Sequence, residues 1–308
     1  MQIFHEKEIN TPMTVITNFF RVRRSAVALI SIATVGSITL ASTLVAAQPK
    51  PLLSAPAVAP STKPTIVMVH GGYADSSSWS KVIPLLTAEG YTVDAAPNPL
   101  RGLYSDSAYV RSFLKSITGP IVLVVHSYGG MVITNAATGN PNVKALVYVD
   151  AFVPDQGDTA LHLIFAKPGS CFYGGGNLHN TMIFRDDPSL PANDPVLYIK
   201  YAPGPDFTGF DACFANDLPT SEADVLWAVQ RPIALDAFTQ VSGVPAWKTI
   251  PSWAVLGTQD HAIPPAELQF MDQRAGAQIT YVKAGHLSMI SDPSVVAKVV
   301  TEAATATS

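Results

Sequence analysis

From residue 64 onward, short apolar runs rich in valine and isoleucine alternate with longer stretches whose apolar positions recur every three or four residues. The short runs, at 65–69, 92–96, 120–125, 144–149, 252–256 and 278–282, have the length and β-branched content of buried strands. The longer stretches, at 76–89, 105–117, 128–137, 265–274 and 293–303, carry the one-sided periodicity of helices. Strands alternating with helices predict an α/β fold, a mostly parallel sheet flanked by helices. In such a sheet the ligand site lies at the carboxyl ends of the strands. No internal repeat overlies the pattern.

The alternation stops between about 154 and 246. That stretch is richer in Gly, Pro, Asn and Asp, and it holds only isolated amphipathic pieces at 159–166, 221–229 and 232–239. It is too long for a simple loop and is expected to form a cap inserted over the carboxyl edge of the sheet. The domain at 65–308 then divides into a core, 65–153 and 247–308, and a cap of about 154–246. Aromatic residues including Phe165, Phe172, Tyr173, Phe207, Phe210, Phe214 and Phe238 lie in the cap. They could line an apolar pocket, and any one of them could equally serve the cap's own core.

The first 47 residues read differently. Arg21, Arg23 and Arg24 precede an apolar stretch that runs to Val45-Ala46-Ala47. A basic region, an apolar region and a small-residue cleavage site make a secretory signal peptide the expectation. Residues 48–64 then form a Pro/Ala-rich linker or arm. Four basic residues (Lys7, Arg21, Arg23, Arg24) and two acidic ones (Glu6, Glu8) fall in the signal, so the remainder carries 15 basic and 21 acidic residues, a net −6. No basic patch suggests a nucleic-acid partner, and no stable membrane insertion is expected once the signal is removed. The expected location is secreted or periplasmic. Export would permit a disulfide between the two cysteines, Cys171 and Cys213, the alternative being two buried thiols.

The chemistry concentrates at strand ends. The run from Ile121 to Gly130 (Ile-Val-Leu-Val-Val-His-Ser-Tyr-Gly-Gly) is a buried strand that breaks at Ser127 into the start of a helix. A serine on such a turn presents its hydroxyl at the sheet's carboxyl edge, beside the N–H groups of a helix start. The usual Gly-x-Ser-x-Gly pattern is broken by Val125, which is expected to add bulk where the turn is crowded. Upstream, the strand at 65–69 ends in His70-Gly71-Gly72. The main-chain N–H groups of Gly72 and Tyr128 are the candidate oxyanion donors. His70 reads as a structural histidine. Serine needs a base to act as a nucleophile. His286 follows the last strand, and Asp260 follows the strand before it. The order Ser127, Asp260, His286 is that of a nucleophile, acid and base on this kind of sheet. Asp150, after the strand at 144–149, is the rival acid.

On these residues, over about 64–306, the chain resembles the α/β-hydrolase superfamily. More narrowly, the Gly-Tyr-Ala-Asp-Ser-Ser-Ser-Trp run ending at Trp79, the segment 246–253 and the run starting His286-Leu-Ser-Met are similar to the plant methylesterase and hydroxynitrile lyase group. The resemblance implies a serine hydrolase of small-molecule carboxylic esters that uses no metal and no organic cofactor. The hydroxynitrile lyases of that group place threonine and lysine where this chain has Gly71 and Leu287, which resembles the esterase branch. Lactones, thioesters and perhydrolysis need the same triad. A small-molecule binding protein on the same fold is the alternative of a different class.

Overall fold

The computed structural model describes residues 63–201 and 209–308. The expected signal segment, most of the 48–64 arm and Phe207 lie outside those residues. The chain begins with β1 (Thr65–Val69), α1 (Ile83–Ala88), β2 (Val93–Ala96), α2 (Leu103–Lys115), β3 (Ile121–His126), α3 (Gly129–Ala136) and β4 (Val143–Val149). Next come α4 (Ala160–Ala166), β5 (Met182–Arg185), β6 (Val196–Ile199), α5 (Phe210–Cys213), α6 (Thr220–Ala228), β7 (Ile233–Ala234) and α7 (Asp236–Thr239). It closes with β8 (Ser252–Gly257), α8 (Pro265–Arg274), β9 (Gln278–Val282), α9 (Ser288–Ser291) and α10 (Pro293–Ala306).

Six strands pair in the order β2-β1-β3-β4-β8-β9, every pairing parallel, and helices flank the sheet as the alternation predicted. All six residues of β3 are buried, which is why its sequence is a continuous apolar run rather than an alternating one. The chain passes from β1 outward to β2 and then returns to β3 on the other side of β1. That reversal opens a crevice at the carboxyl ends of β1 and β3, where the His70–Gly72 loop and Ser127 emerge.

The departures from expectation are local. The predicted helix at 76–89 divides into a 3₁₀ turn, Ser76–Trp79, and the short α1. Asp75 caps the turn by accepting from Ser77 N, and Pro84, which lacks an N–H, fits the first turn of α1. Within 154–246, β5, β6 and β7 form a small antiparallel sheet that the amphipathic pieces did not reveal. The piece at 232–239 divides between β7 and α7. A signal for the β5–β6 hairpin was present: Met-Ile-Phe-Arg and Val-Leu-Tyr-Ile flank an Asp/Pro-rich stretch at 186–195. The two-residue β7 is too short to leave one.

Cys171 and Cys213 form a disulfide across a sequence separation of 42 residues, with Cα atoms 5.6 Å apart. On the chain-entropy account a loop of that length contributes about 4 kcal/mol. The double variant Cys171→Ser/Cys213→Ser should therefore melt roughly 10 °C lower by calorimetry. A midpoint within about 2 °C of the wild type would show that the bridge constrains little in the unfolded chain.

Candidate active site

Ser127 sits at φ 52, in the left-handed region that L residues adopt only under constraint. The constraint is visible on both sides of the turn. Ser127 N donates to Val149 O at 3.4 Å, and Ser127 O accepts from Gly130 N at 2.9 Å and Phe152 N at 3.2 Å. The β1 loop lies directly above. A Cβ built on Gly71 would stand 2.6 Å from Ser127 Cβ, so no side chain fits there. Val125 does not crowd this turn as expected. It is a fully buried strand residue paired between Val69 and Tyr148, its side chain filled into the sheet's core.

The structure brings Ser127, His286 and Asp260 together. Ser127 Oγ lies 3.0 Å from His286 Nε2, and His286 Nδ1 lies 2.7 Å from Asp260 Oδ2. The geometry fits one tautomer, with Nδ1–H donating to the carboxylate and Nε2 left to accept the serine proton. Burial holds His286 well below the usual imidazole range, to about 3, so the ring is neutral at pH 7 and its Nε2 carries no proton in this tautomer. Burial pushes Asp260 upward, while Ala262 N and Ile263 N donate to Oδ1 at 2.7 and 2.9 Å and favour the ionised form.

Asp150 does not reach the imidazole. At φ 44 its carboxyl turns toward Gly257 N, which donates at 2.6 Å, and toward the Ser288 hydroxyl. It thereby ties the end of β8 to the segment just after His286. Burial and the neighbouring Asp260 both push its carboxyl well above the usual range.

Gly72 and Tyr128 flank the crevice. A Cβ on Gly72 would lie 3.9 Å from Tyr128 Cβ, and neither main-chain N–H donates to another protein group among the described residues. Tyr128 is fixed by its hydroxyl, which donates to the buried Asp106 of α2 at 2.9 Å. His70 is structural. Its Nε2 accepts from Asn98 N at 3.0 Å, Nδ1–H donates to Gly71 O at 2.9 Å, and burial lowers it to about 4. Sequence reasoning missed Asp106 and Ser288, which reach the site from segments whose sequence shows only amphipathic packing or loop character, whereas Phe214, one of the cap aromatics it offered for a pocket, has its ring 5.0 Å from that of His286.

Narrow apolar recesses lie beside the crevice. Tyr73, at φ 60, separates one lined by Phe172, Met182, Leu197 and Phe238 from another lined by Phe210, Phe214, Leu226 and Leu287. Among the described residues no group of His, Cys, Asp and Glu side chains could hold a metal ion, and no helix is long and apolar enough to cross a membrane. The site can therefore move a proton from Ser127 to His286, balance the resulting imidazolium with Asp260, and present two N–H groups to a nascent anion.

Comparison with known proteins agrees with this architecture. The model of the "Alpha/beta hydrolase family" matches residues 66–299. A carbendazim hydrolyzing esterase of Nocardioides sp. is 31% identical over 111 residues, 32% of this chain and 46% of that protein. Methylesterase 8 of Arabidopsis thaliana is 32% identical over 107 residues, 30% of this chain and 39% of that protein. The chain thus spans less than half the length of the curated relatives it matches. The crystal structure of polyneuridine aldehyde esterase superimposes with a TM-score of 0.63 at 20% identity, covering 78% of this chain and 99% of that one, and so shares the fold.

Proposed function

The chain belongs to the alpha/beta hydrolase family, and from that premise we propose that it hydrolyses carboxylic esters with Ser127 as nucleophile, His286 as base and Asp260 as its acid partner. The observation that carries the reading is the unbroken chain of hydrogen bonds from Ser127 Oγ through both nitrogens of His286 to Asp260. Ser127 attacks the ester carbonyl as His286 takes its proton. The N–H groups of Gly72 and Tyr128 hold the tetrahedral oxyanion, and His286 returns the proton to the departing alcohol. Water, deprotonated by the same imidazole, then releases the acid from the acyl-enzyme.

The apolar recesses on either side of Tyr73 favour an ester with apolar groups of small or medium size. Relatives named as esterases support the same class. We further infer export through the N-terminal signal, in keeping with a disulfide that an oxidising compartment would preserve.

Two experiments test the reading. The protein should release p-nitrophenol from p-nitrophenyl acetate or butyrate, and an aryl phosphonate should modify Ser127 stoichiometrically, as read by peptide mass. A folded protein that does neither is not a serine hydrolase. The choice of acid is tested separately: Asp260→Asn should lower kcat about 10³- to 10⁴-fold by removing the carboxylate that holds the imidazole tautomer. Asp150→Asn should cost no more than about tenfold, because its contacts reach the loops and not the ring. The reverse ranking would make Asp150 the acid.

A further inference from the structure

The segment that follows α5 touches both catalytic loops at the residue immediately before each catalytic group. Asn216 Nδ2 donates to Gln259 O at 2.9 Å, next to Asp260. Gly285 N donates to Asp217 Oδ2 at 2.7 Å, next to His286. The approach is close enough to exclude a side chain: a Cβ on Gly285 would stand 2.4 Å from Asn216 Oδ1 and 2.7 Å from Asp217 Oδ1. The same segment is anchored from behind. Phe214 packs on the imidazole, Cys213 is bonded to Cys171, and Ala212 O meets His261 Nδ1 at 3.0 Å, one residue past Asp260.

Asp217 is bound through one oxygen only. Its Oδ1 is buried and has no hydrogen-bond partner among the described residues. A carboxylate so placed is poorly compensated locally, and its field reaches the neighbouring ring. We propose that Asp217 is a second carboxylate serving His286: it positions the base loop through Gly285 N–H, and its charge stabilises the imidazolium that forms when Ser127 loses its proton. The inference rests on the serine-hydrolase reading above. Asp217 also opposes the lowering of His286 by burial, which is the sign the proposal requires.

The titratable groups facing the imidazole come from several elements. Asp260 approaches from the loop after β8, His126 from β3 with ring centroids 4.7 Å apart, and Asp217 from the cap. Asp150, just after β4, stands behind Ser288. His126 donates through Nε2 to His286 O at 2.8 Å, and burial holds it well below the ordinary imidazole range, so it brings no competing charge at neutral pH.

Asp217→Asn keeps the size and the acceptor for Gly285 N–H and removes only the charge. It should lower kcat about tenfold with KM within about twofold, since the lost interaction belongs to the transition state. The melting temperature should stay within about 2 °C of the wild type. The rate at which an aryl phosphonate modifies Ser127 at pH 7, a step that needs the same imidazolium, should fall by a factor similar to that in kcat. Asp217→Ala, which also frees Gly285 N–H, should cost about 10²-fold in kcat. Wild-type kcat and an unchanged rate of phosphonate modification in Asp217→Asn would overturn the proposal. The modification needs no ester turnover, so it judges Asp217 even if no carboxylic ester is hydrolysed. Activity in the wild type that disappears in Ser127→Ala judges the serine mechanism independently.

Discussion

Alanine at position 127 should reduce kcat/KM for p-nitrophenyl butyrate by at least about 10³-fold while leaving the melting temperature almost unchanged. In the proposed mechanism Ser127, His286 and Asp260 act as one unit, so removing the nucleophile forfeits everything the base and the acid contribute. The Gly72 and Tyr128 N–H groups and the apolar recesses would remain, and some binding with weak acceleration should persist. The fold should tolerate the change. Ser127 Oγ contacts His286 Nε2, whereas the strained φ of 52 is imposed by backbone contacts to Val149, Gly130 and Phe152 that alanine retains. A variant within about tenfold of wild-type activity would remove Ser127 as the nucleophile.

The largest effect of a single substitution on folding should come from Gly130→Ala. Gly130 is the second residue of α3, where helix propensity alone would favour alanine by about 1 kcal/mol. The backbone reverses that sign. A Cβ at 130 would stand 1.9 Å from Phe152 O and 2.9 Å from its carbonyl carbon, in the loop that follows β4. Both neighbours are main chain, and Phe152 N is itself bonded to Ser127 O, so neither side can yield without opening the turn. The cost should reach at least about 3 kcal/mol, seen as a lower urea midpoint or a failure to accumulate soluble protein. Gly139→Ala, where a Cβ would meet nothing within 4 Å although φ is +76, serves as the comparison for backbone strain without a clash. Equal midpoints in the two variants would refute the close approach as the reason Gly130 is required.

The sheet and its chemistry were legible because they are written in local patterns. Fully buried strands such as β3 are continuous apolar runs, and Ser127, Asp260 and His286 each stand within a few residues of a strand end, so sequence order projects onto one edge in space. The cap was less legible. Its small sheet has strands of two to four residues: β5 and β6 leave only short apolar runs on either side of 186–195, and β7, which pairs with Val196 and Leu197, leaves none. The positions of Asp106, Ser288, Asn216 and Asp217 were invisible for a different reason. Each serves the site through a hydrogen bond to a residue far away in the chain, and no spacing rule encodes such a contact. Asp150 shows the converse limit. It stands at a strand end like Ser127, Asp260 and His286, and its turned backbone and its bond to Gly257 N hold it away from the imidazole.

Val125 bears on how such proteins are found. A filter that demands glycine two residues before the serine discards this chain, although that position is interior to β3 and well filled by valine. The space that cannot be filled lies after the serine, where β1 and the loop beyond β4 come within 3.0 and 1.9 Å of where side chains on Gly129 and Gly130 would begin. A search profile weighted by the backbone surrounding each position, rather than by the letters of the pattern, would keep proteins of this kind. It would also let their elbows be redesigned at the strand end without touching the turn.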